Sequence, residues 1–493
     1  MEPPSRATPS LAVRLGAAAA VAWLAAWWVG VQGWIQYPFA LEWQEAAMFE
    51  HAARVAQGLP VYQQPSVDFT AFPYPPLFHW LGALFIGEEG GALSDLRSVS
   101  ALSLLLALAC LVLAGRRRAG LAAGLMGAGL FVAADGWTGT WTLIARVDSL
   151  ALALTAASML VGTSPRSLAG RPAWGAVAGL LGAAAVLAKQ TALGPLAGLV
   201  VGLCARRGSR AAGLTAGAVA GVVLTGAVLA LERSTDGWFG FHVFSVLAGS
   251  PLNRPAALGF LPDLLLAWAP LLVLTWLASR APRGTPASEP MHPAEWCSLL
   301  ALVAVAWVGR AHEGGYRNTL LPAALALAWA AGPIAARAAT VRPRVAAALA
   351  LALFPWLILS HPGAALPGDA EQARLAELDQ RLGAMEGPVW QPHGSLDGRG
   401  PGGVHAMAIA DLLKSREREE AEAFFEDLSA SLEERRFAAI VLGVELSVWA
   451  SLDALTRNYR VEERLDSSAV AGQKPVVPPT GAPIGPRLLL VPR

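Results

Sequence analysis

The chain has 493 residues, 55% of them hydrophobic and only 15% charged, with a net charge of +1. Its mean hydropathy is +0.47. A soluble protein of this length carries about 25% charged residues, so a purely soluble protein is excluded, and no nucleic-acid partner is expected.

Apolar runs of about 20 residues recur along most of the chain, each long enough to cross a bilayer core. The first, "LGAAAAVAWLAAWWVGVQGW" after Arg14, is longer than a signal-peptide core and lacks a cleavage site, so it reads as a retained span. Eleven spans are expected, near 11–33, 95–114, 119–135, 142–162, 173–188, 192–205, 211–231, 257–278, 296–310, 317–335 and 345–361. The fifth and sixth are nearly continuous and are divided at Lys189, because a lysine at the bilayer centre costs about 2.5–3.5 kcal/mol. Cys110, Cys204 and Cys297 lie in or beside these runs and form no disulfide framework.

Cations in the short loops set the orientation. With the N-terminus inside, the inner loops read "GRRRAG", "SPRSLAGRP", "ARRGSR", "SRAPRG" and "ARAATVRPR", each bearing arginine. The outer loops carry fewer cations and more aromatics, and an odd span count places the C-terminus outside. The expectation is a polytopic α-helical membrane protein. Its membrane part is residues 1–362, with a first outer loop at 34–94, followed by a small extracytoplasmic α/β domain at 363–493. That second part alternates helix-forming stretches ("GDAEQARLAELDQRLGAM", "SREREEAEAFFEDLSASLEERR") with short strand-like runs ("PVWQP", "FAAIVLG", "RLLLVP"), and has a proline-rich segment, "AVAGQKPVVPPTGAPIGP", near its end.

The first outer loop sets carboxylates beside the membrane. Leu41, Met48, Ala52, Val55 and Leu59 share a helical face, with "GLP" as the stop. Glu42 and Glu45, three apart, fall about 60° from each other on a neighbouring face. They are either a solvated face or acids aimed at a cavity between spans. "DFTAFPYPPLFHWLGALF" follows, with Tyr74 and His79 among aromatics suited to the headgroup level.

Cations converge from the same side. Arg146 and Asp148 end the fourth span; at i, i+2 they do not face each other on a helix, so each needs another partner. Lys189 reaches the same side, and "GRAHEGGYRN" adds Arg310, His312, Glu313, Tyr316, Arg317 and Asn318. One or two acids facing several fixed cations suit transfer from a lipid phosphate: cations stabilise the departing phosphate, and one ionised glutamate serves as base for the incoming hydroxyl. Attack opposite the phosphate inverts the anomeric carbon. The same groups could instead bind lipid-linked sugars in a transporter or flippase, although repeated halves and broken midplane helices are not visible.

The ordered set "EWQEAAMFEHAARVAQGLPVY", "YPPLFHWLGALF", "ARVDSLALAL", "AKQTAL" and "GGYRNTLLP" resembles the GT-C superfamily of integral-membrane glycosyltransferases. The branch is the bacterial family-39-like group, related to protein O-mannosyltransferases and the lipid A aminoarabinose transferase. The resemblance covers roughly residues 10–335. It implies a polyprenyl-phosphate sugar donor, a glycan, lipid or protein acceptor on the outer side of a bacterial inner membrane, and a catalytic acid in the first outer loop. By the same resemblance, Arg146, Lys189 and Arg317 contact the lipid phosphate. Many relatives begin this loop with Asp-Glu about fourteen residues before a glycine. Counting back from Gly58 aligns that pair with Gln44-Glu45, and an amide cannot act as a base. Glu45 is therefore the favoured base and Glu42 the second. Two acids near a phosphate leave room for a divalent metal, Mg²⁺ or Mn²⁺, but no metal ligands are assigned. His393 and His405, flanking a glycine-rich loop, have no known ligand spacing.

Overall fold

The computed structural model describes residues 10–87, 90–282, 290–359, 366–398, 402–415, 418–444, 449, 452–465 and 485–493. Most of the expected proline-rich segment lies outside the described residues.

Helix α1 (Leu11–Gln36) leads into a loop holding α2 (Glu45–Ala56) and α3 (Leu77–Ile86). Next come α4 (Leu93–Ala119) and α5 (Leu121–Ala133), packed on each other across a turn at Gly120, then the short α6 (Asp135–Thr138). The chain continues through α7 (Val147–Gly162), α8 (Pro165–Leu168), α9 (Pro172–Ala188), α10 (Leu193–Cys204) and α11 (Arg210–Ser234). Two short helices, α12 (Trp238–Gly240) and α13 (Val246–Ala248), precede α14 (Arg254–Ala267), α15 (Ala269–Ser279), α16 (Pro293–Ala311), α17 (Leu321–Ala338) and α18 (Pro343–Ile358).

Each of the eleven expected stretches contains a helix, although the fourth is helical only from Val147 and the last two residues of the eleventh lie outside the described residues. By length and composition, six stretches can cross a membrane: 11–36, 93–119, 121–138, 210–234, 293–311 and 317–338. The pair α14–α15, bent by 69°, makes a seventh if taken as one span. The remaining apolar helices, α7, α9, α10 and α18, are shorter. Lys189 divides α9 from α10, in extended backbone at the break.

Small residues let these helices approach closely. On α9, a Cβ at Gly175 or Gly179 would lie 2.1 or 2.3 Å from the carbonyl oxygens of Ala212 and Ala216 on α11. Only glycine permits that spacing, the small-xxx-small rule of packing in lipid.

The C-terminal elements are α19 (Asp369–Gly383), β1 (Val389–Trp390), α20 (Ala406–Lys414), α21 (Arg418–Glu433), β2 (Ala439–Leu442), α22 (Asp453–Asn458), β3 (Tyr459–Arg464) and β4 (Leu488–Pro492). They form one sheet of order β1-β2-β4-β3, with β1 parallel to β2 and the other pairs antiparallel. The mixture of strand and helix is the one the composition suggested. Its hydrophobic core is not its own, however. Trp390, Val404, Ile409, Leu428, Ile440 and Leu490 belong to one buried cluster with Met48, Phe49, Val67, Phe72 and Phe78 of the first loop. The last part of the chain therefore folds onto the first loop, where the candidate acids lie.

Candidate functional site

The first loop departs from the expected helix. The helix begins at Glu45, with Gln44 as N-cap, so Glu42 lies before it and shares no helical face with Glu45. The physical reason is local: Glu42 Oε2 accepts the Gln44 N–H at 3.0 Å, and the Glu42 carbonyl accepts the Glu45 N–H at 3.0 Å. A turn closed by its own carboxylate replaces the first helical turn.

Both acids are buried, and their surroundings differ. Glu45 Oε1 accepts from Arg97 Nε at 2.9 Å and from the Ala145 N–H at 2.7 Å. Its Oε2 accepts from the Leu41 N–H and from an Arg97 terminal nitrogen, each at 2.7 Å. Burial pushes the Glu45 pKa up, but the Arg97 guanidinium and these bonds prevail and hold it below the ordinary carboxylate value. Four donors fill its lone pairs, so an incoming hydroxyl finds no free acceptor there. The two acids thus differ in what is left over for a ligand, since Glu42 keeps an oxygen with no hydrogen-bond partner among the described residues. Glu42 Oε2 meets Arg146 at 3.2 Å, while Oε1 is buried without a hydrogen-bond partner among the described residues. Burial pushes its pKa up to about 7, against the pull of Arg146 and helped by the Glu45 charge.

Arg146, at the N-cap of α7, is surrounded. It donates to Gln44 Oε1, to Glu42 and, at 2.9 Å, to the Tyr74 hydroxyl. The rings of Trp141 and Tyr74 lie 5.5 and 5.7 Å from its guanidinium carbon. Asp148, two residues on, turns to other partners: Lys189 Nζ at 2.6 Å and the Asn318 amide at 3.4 Å. Four polar atoms in these segments, Glu42 Oε1, Arg146 Nε, Trp141 Nε1 and Gln190 Oε1, are buried with no hydrogen-bond partner among the described residues. Unpaired polar atoms cost free energy when buried.

A narrow cleft opens beside Lys189 and Asp148. Its walls are apolar, with Leu152 of α7, Pro195 of α10, Leu302 of α16 and Leu321 of α17 among them.

The other expected residues have local roles. His79 is fully buried in α3, its ring 4.9 Å from that of His51. Arg317 has Arg310 and Asp263 as charged neighbours, and the residue of its turn that reaches Asp148 is Asn318. Tyr316 borders the site: burial raises its pKa, with Glu42 adding and Arg146 opposing. Arg310 donates to the Gly315 carbonyl, His312 Nδ1 bonds the Val308 carbonyl at 2.8 Å, and Glu313 faces Lys414 at 3.5 Å. These three brace the turn before α17.

The two C-terminal histidines are structural. His405 Nδ1 accepts the Met407 N–H at 3.1 Å, capping α20, which leaves Nε2 to donate to the Trp43 carbonyl at 3.0 Å. His393 accepts the Gly443 N–H at 3.0 Å and stacks on Trp43. Gly394, at φ +88°, sits where a Cβ would be 2.7 Å from that same Trp43 carbonyl. Among the described residues, no group of three or more His, Cys, Asp or Glu could hold a metal.

Sequence reasoning passed over Arg97. Its signal was a lone arginine in the first turns of an apolar span, and an ionisable group there implies a partner.

No protein-family model matches the chain, and no curated protein matches it. Among solved structures it is similar to ArnT from Cupriavidus metallidurans bound to undecaprenyl phosphate, at 17% identity and TM-score 0.57, over 95% of this chain and 97% of that one. The apo form of the same protein matches at 14% identity and TM-score 0.55, with the same coverage. The Archaeoglobus fulgidus oligosaccharyltransferase tethered to an acceptor peptide matches at 13% identity and TM-score 0.42, too loosely to argue from. Identity this low establishes the fold: the chain has the multi-pass fold of ArnT over nearly its whole length.

Proposed function

We propose that this protein is a membrane glycosyltransferase of the GT-C kind, moving a sugar from a polyprenyl phosphate to a hydroxyl-bearing acceptor on the outer side of a bacterial inner membrane. The observation that carries this reading is Glu42: a buried carboxylate with one oxygen unpartnered among the described residues, beside Arg146, in a chain with the fold of a protein solved with undecaprenyl phosphate. In this reading all eleven apolar segments cross the bilayer, with the shorter helices completing their crossing through flanking loops, and residues 363–493 lie outside as an accessory unit over the first loop.

Glu42 takes the proton of the acceptor hydroxyl as that oxygen attacks the anomeric carbon. The bond from carbon to phosphate oxygen breaks, and the polyprenyl phosphate leaves with the electron pair. Lys189 grips the phosphate at the mouth of the apolar cleft, with Arg146 contributing positive charge from the Glu42 side. Attack from the face opposite the phosphate inverts the anomeric carbon. Gln44, in the place of the usual aspartate, keeps a hydrogen bond to Arg146 but supplies no base.

The test is direct. Purified protein in nanodiscs is given a panel of undecaprenyl-phosphate-linked hexoses and pentoses with candidate acceptors, and release of undecaprenyl phosphate is followed for wild type and Glu42→Gln. Turnover by wild type that disappears in the variant supports the reading. Turnover that survives removes Glu42 as base, and tight lipid binding without turnover across the panel points to a transporter.

A further inference from the structure

A single carboxylate holds both halves of the proposed site. Glu45 Oε2 bonds the backbone N–H of Leu41, the residue immediately before Glu42. Glu45 Oε1 bonds the backbone N–H of Ala145, the residue immediately before Arg146. Glu42 and Arg146 are 104 residues apart in sequence, yet each follows a peptide pinned to the same side chain at 2.7 Å.

Arg97 fixes that side chain in turn. It grips both oxygens of Glu45 and gives its remaining protons to the carbonyls of Trp34, Tyr37 and Phe39, at 3.4, 2.5 and 2.7 Å. These carbonyls belong to the end of α1 and the segment leading to Glu42. The pair is fully buried on both sides.

We propose that Glu45 and Arg97 are positioning residues: without touching substrate, they set the approach of Arg146 to Glu42 by clamping the peptide before each. The proposal rests on reading Glu42 as the base. The alternative is an ordinary buried ion pair, which contributes to folding and nothing else. The two differ in what Glu42 senses. The charged and titratable groups that act on Glu42 are Glu45 on α2, Arg146 at the start of α7 and Tyr316 before α17, while Arg146 is itself faced by Tyr74 in the first loop, Asp148 on α7 and His405 at the N-cap of α20. Removing the Glu45 charge with geometry intact lowers the Glu42 pKa, because that charge raises it. Releasing Arg146 raises it, because Arg146 lowers it. The direction of the shift separates the two roles.

The experiment uses the full chain in nanodiscs. The Glu42 carboxyl is titrated by its infrared C=O band, assigned with Glu42→Gln. The variants are Glu45→Gln and the double variant Glu45→Met/Arg97→Met, which leaves no buried charge unpaired. Binding of undecaprenyl phosphate and turnover of the sugar panel accompany the titration. The expected result is binding within about threefold of wild type, a Glu42 titration about one unit higher, and a kcat lowered about tenfold with KM little changed, the loss expected when a base is misplaced. An unmoved or lowered titration in a folded variant overturns the proposal, as does failure of both variants to fold, which would assign the pair to stability alone. Because the titration needs no turnover, a wild type inactive on the whole panel would defeat the base reading and still leave the clamp decided.

Discussion

Glu42→Gln is the sharpest perturbation available. The amide keeps the size of the side chain and its contacts to the Gln44 N–H and Arg146 on one oxygen, so the fold is retained and only basicity is lost. Removing a general base costs about 10²–10⁴ in rate. The wild type also predicts a pH dependence, because Glu42 titrates at about 7. A base works ionised, so kcat/KM rises through pH 7 and falls about tenfold for each unit below it; at pH 6 only about one site in eleven is ionised. The assay is undecaprenyl phosphate release from pH 5 to 9. In Glu42→Gln, the residual rate loses this acid limb. A flat wild-type profile between pH 5.5 and 7.5, or a variant retaining more than about a tenth of wild-type turnover, refutes the assignment.

Lys189→Met removes the cation at the cleft mouth and should weaken undecaprenyl phosphate binding about 10–100-fold, read by titration in nanodiscs, since charge-assisted hydrogen bonds contribute about 1.5–3 kcal/mol. Gly179→Val forces a side chain against the Ala216 carbonyl and should destabilise by at least about 1–3 kcal/mol. Gly221→Ala on α11, where a Cβ meets nothing within 4 Å, is the control, and both are read as thermal midpoints. His51 and His405 are held neutral by burial, with pKa values near 3 against an ordinary 6.5. The unfolded chain therefore takes up protons first as pH falls. The stability tied to each is complete above pH 6.5 and is lost progressively toward pH 3, by on the order of 1 kcal/mol each at pH 5.5. Limited proteolysis of the C-terminal elements across that range checks it; resistance unchanged down to pH 4.5 contradicts it.

Much of this protein was legible in its residues. Apolar runs and arginine-bearing loops are local properties, and the positions of the helices followed from them, down to the break at Lys189. Arg146 and Asp148 do take different partners, as expected, but Arg146 lies in extended backbone at the N-cap of α7 and not in the helix. The mixed strand and helix content after residue 363 was equally readable, because strand and helix periods are written in neighbouring residues.

How hydrogen-bond donors divide between two glutamates three residues apart was not readable. A carboxylate acts as a base only if a lone pair is left over, and that depends on donors brought in from far along the chain. Arg97 and the Ala145 peptide fill Glu45 from 52 and 100 residues away, while Arg146 leaves one oxygen of Glu42 unengaged among the described residues. The sharing of one hydrophobic core between the first loop and the C-terminal sheet was hidden for the same reason. Local sequence sets periodicity and chain direction, whereas burial and hydrogen-bond saturation are properties of neighbours, and only the folded chain assigns them.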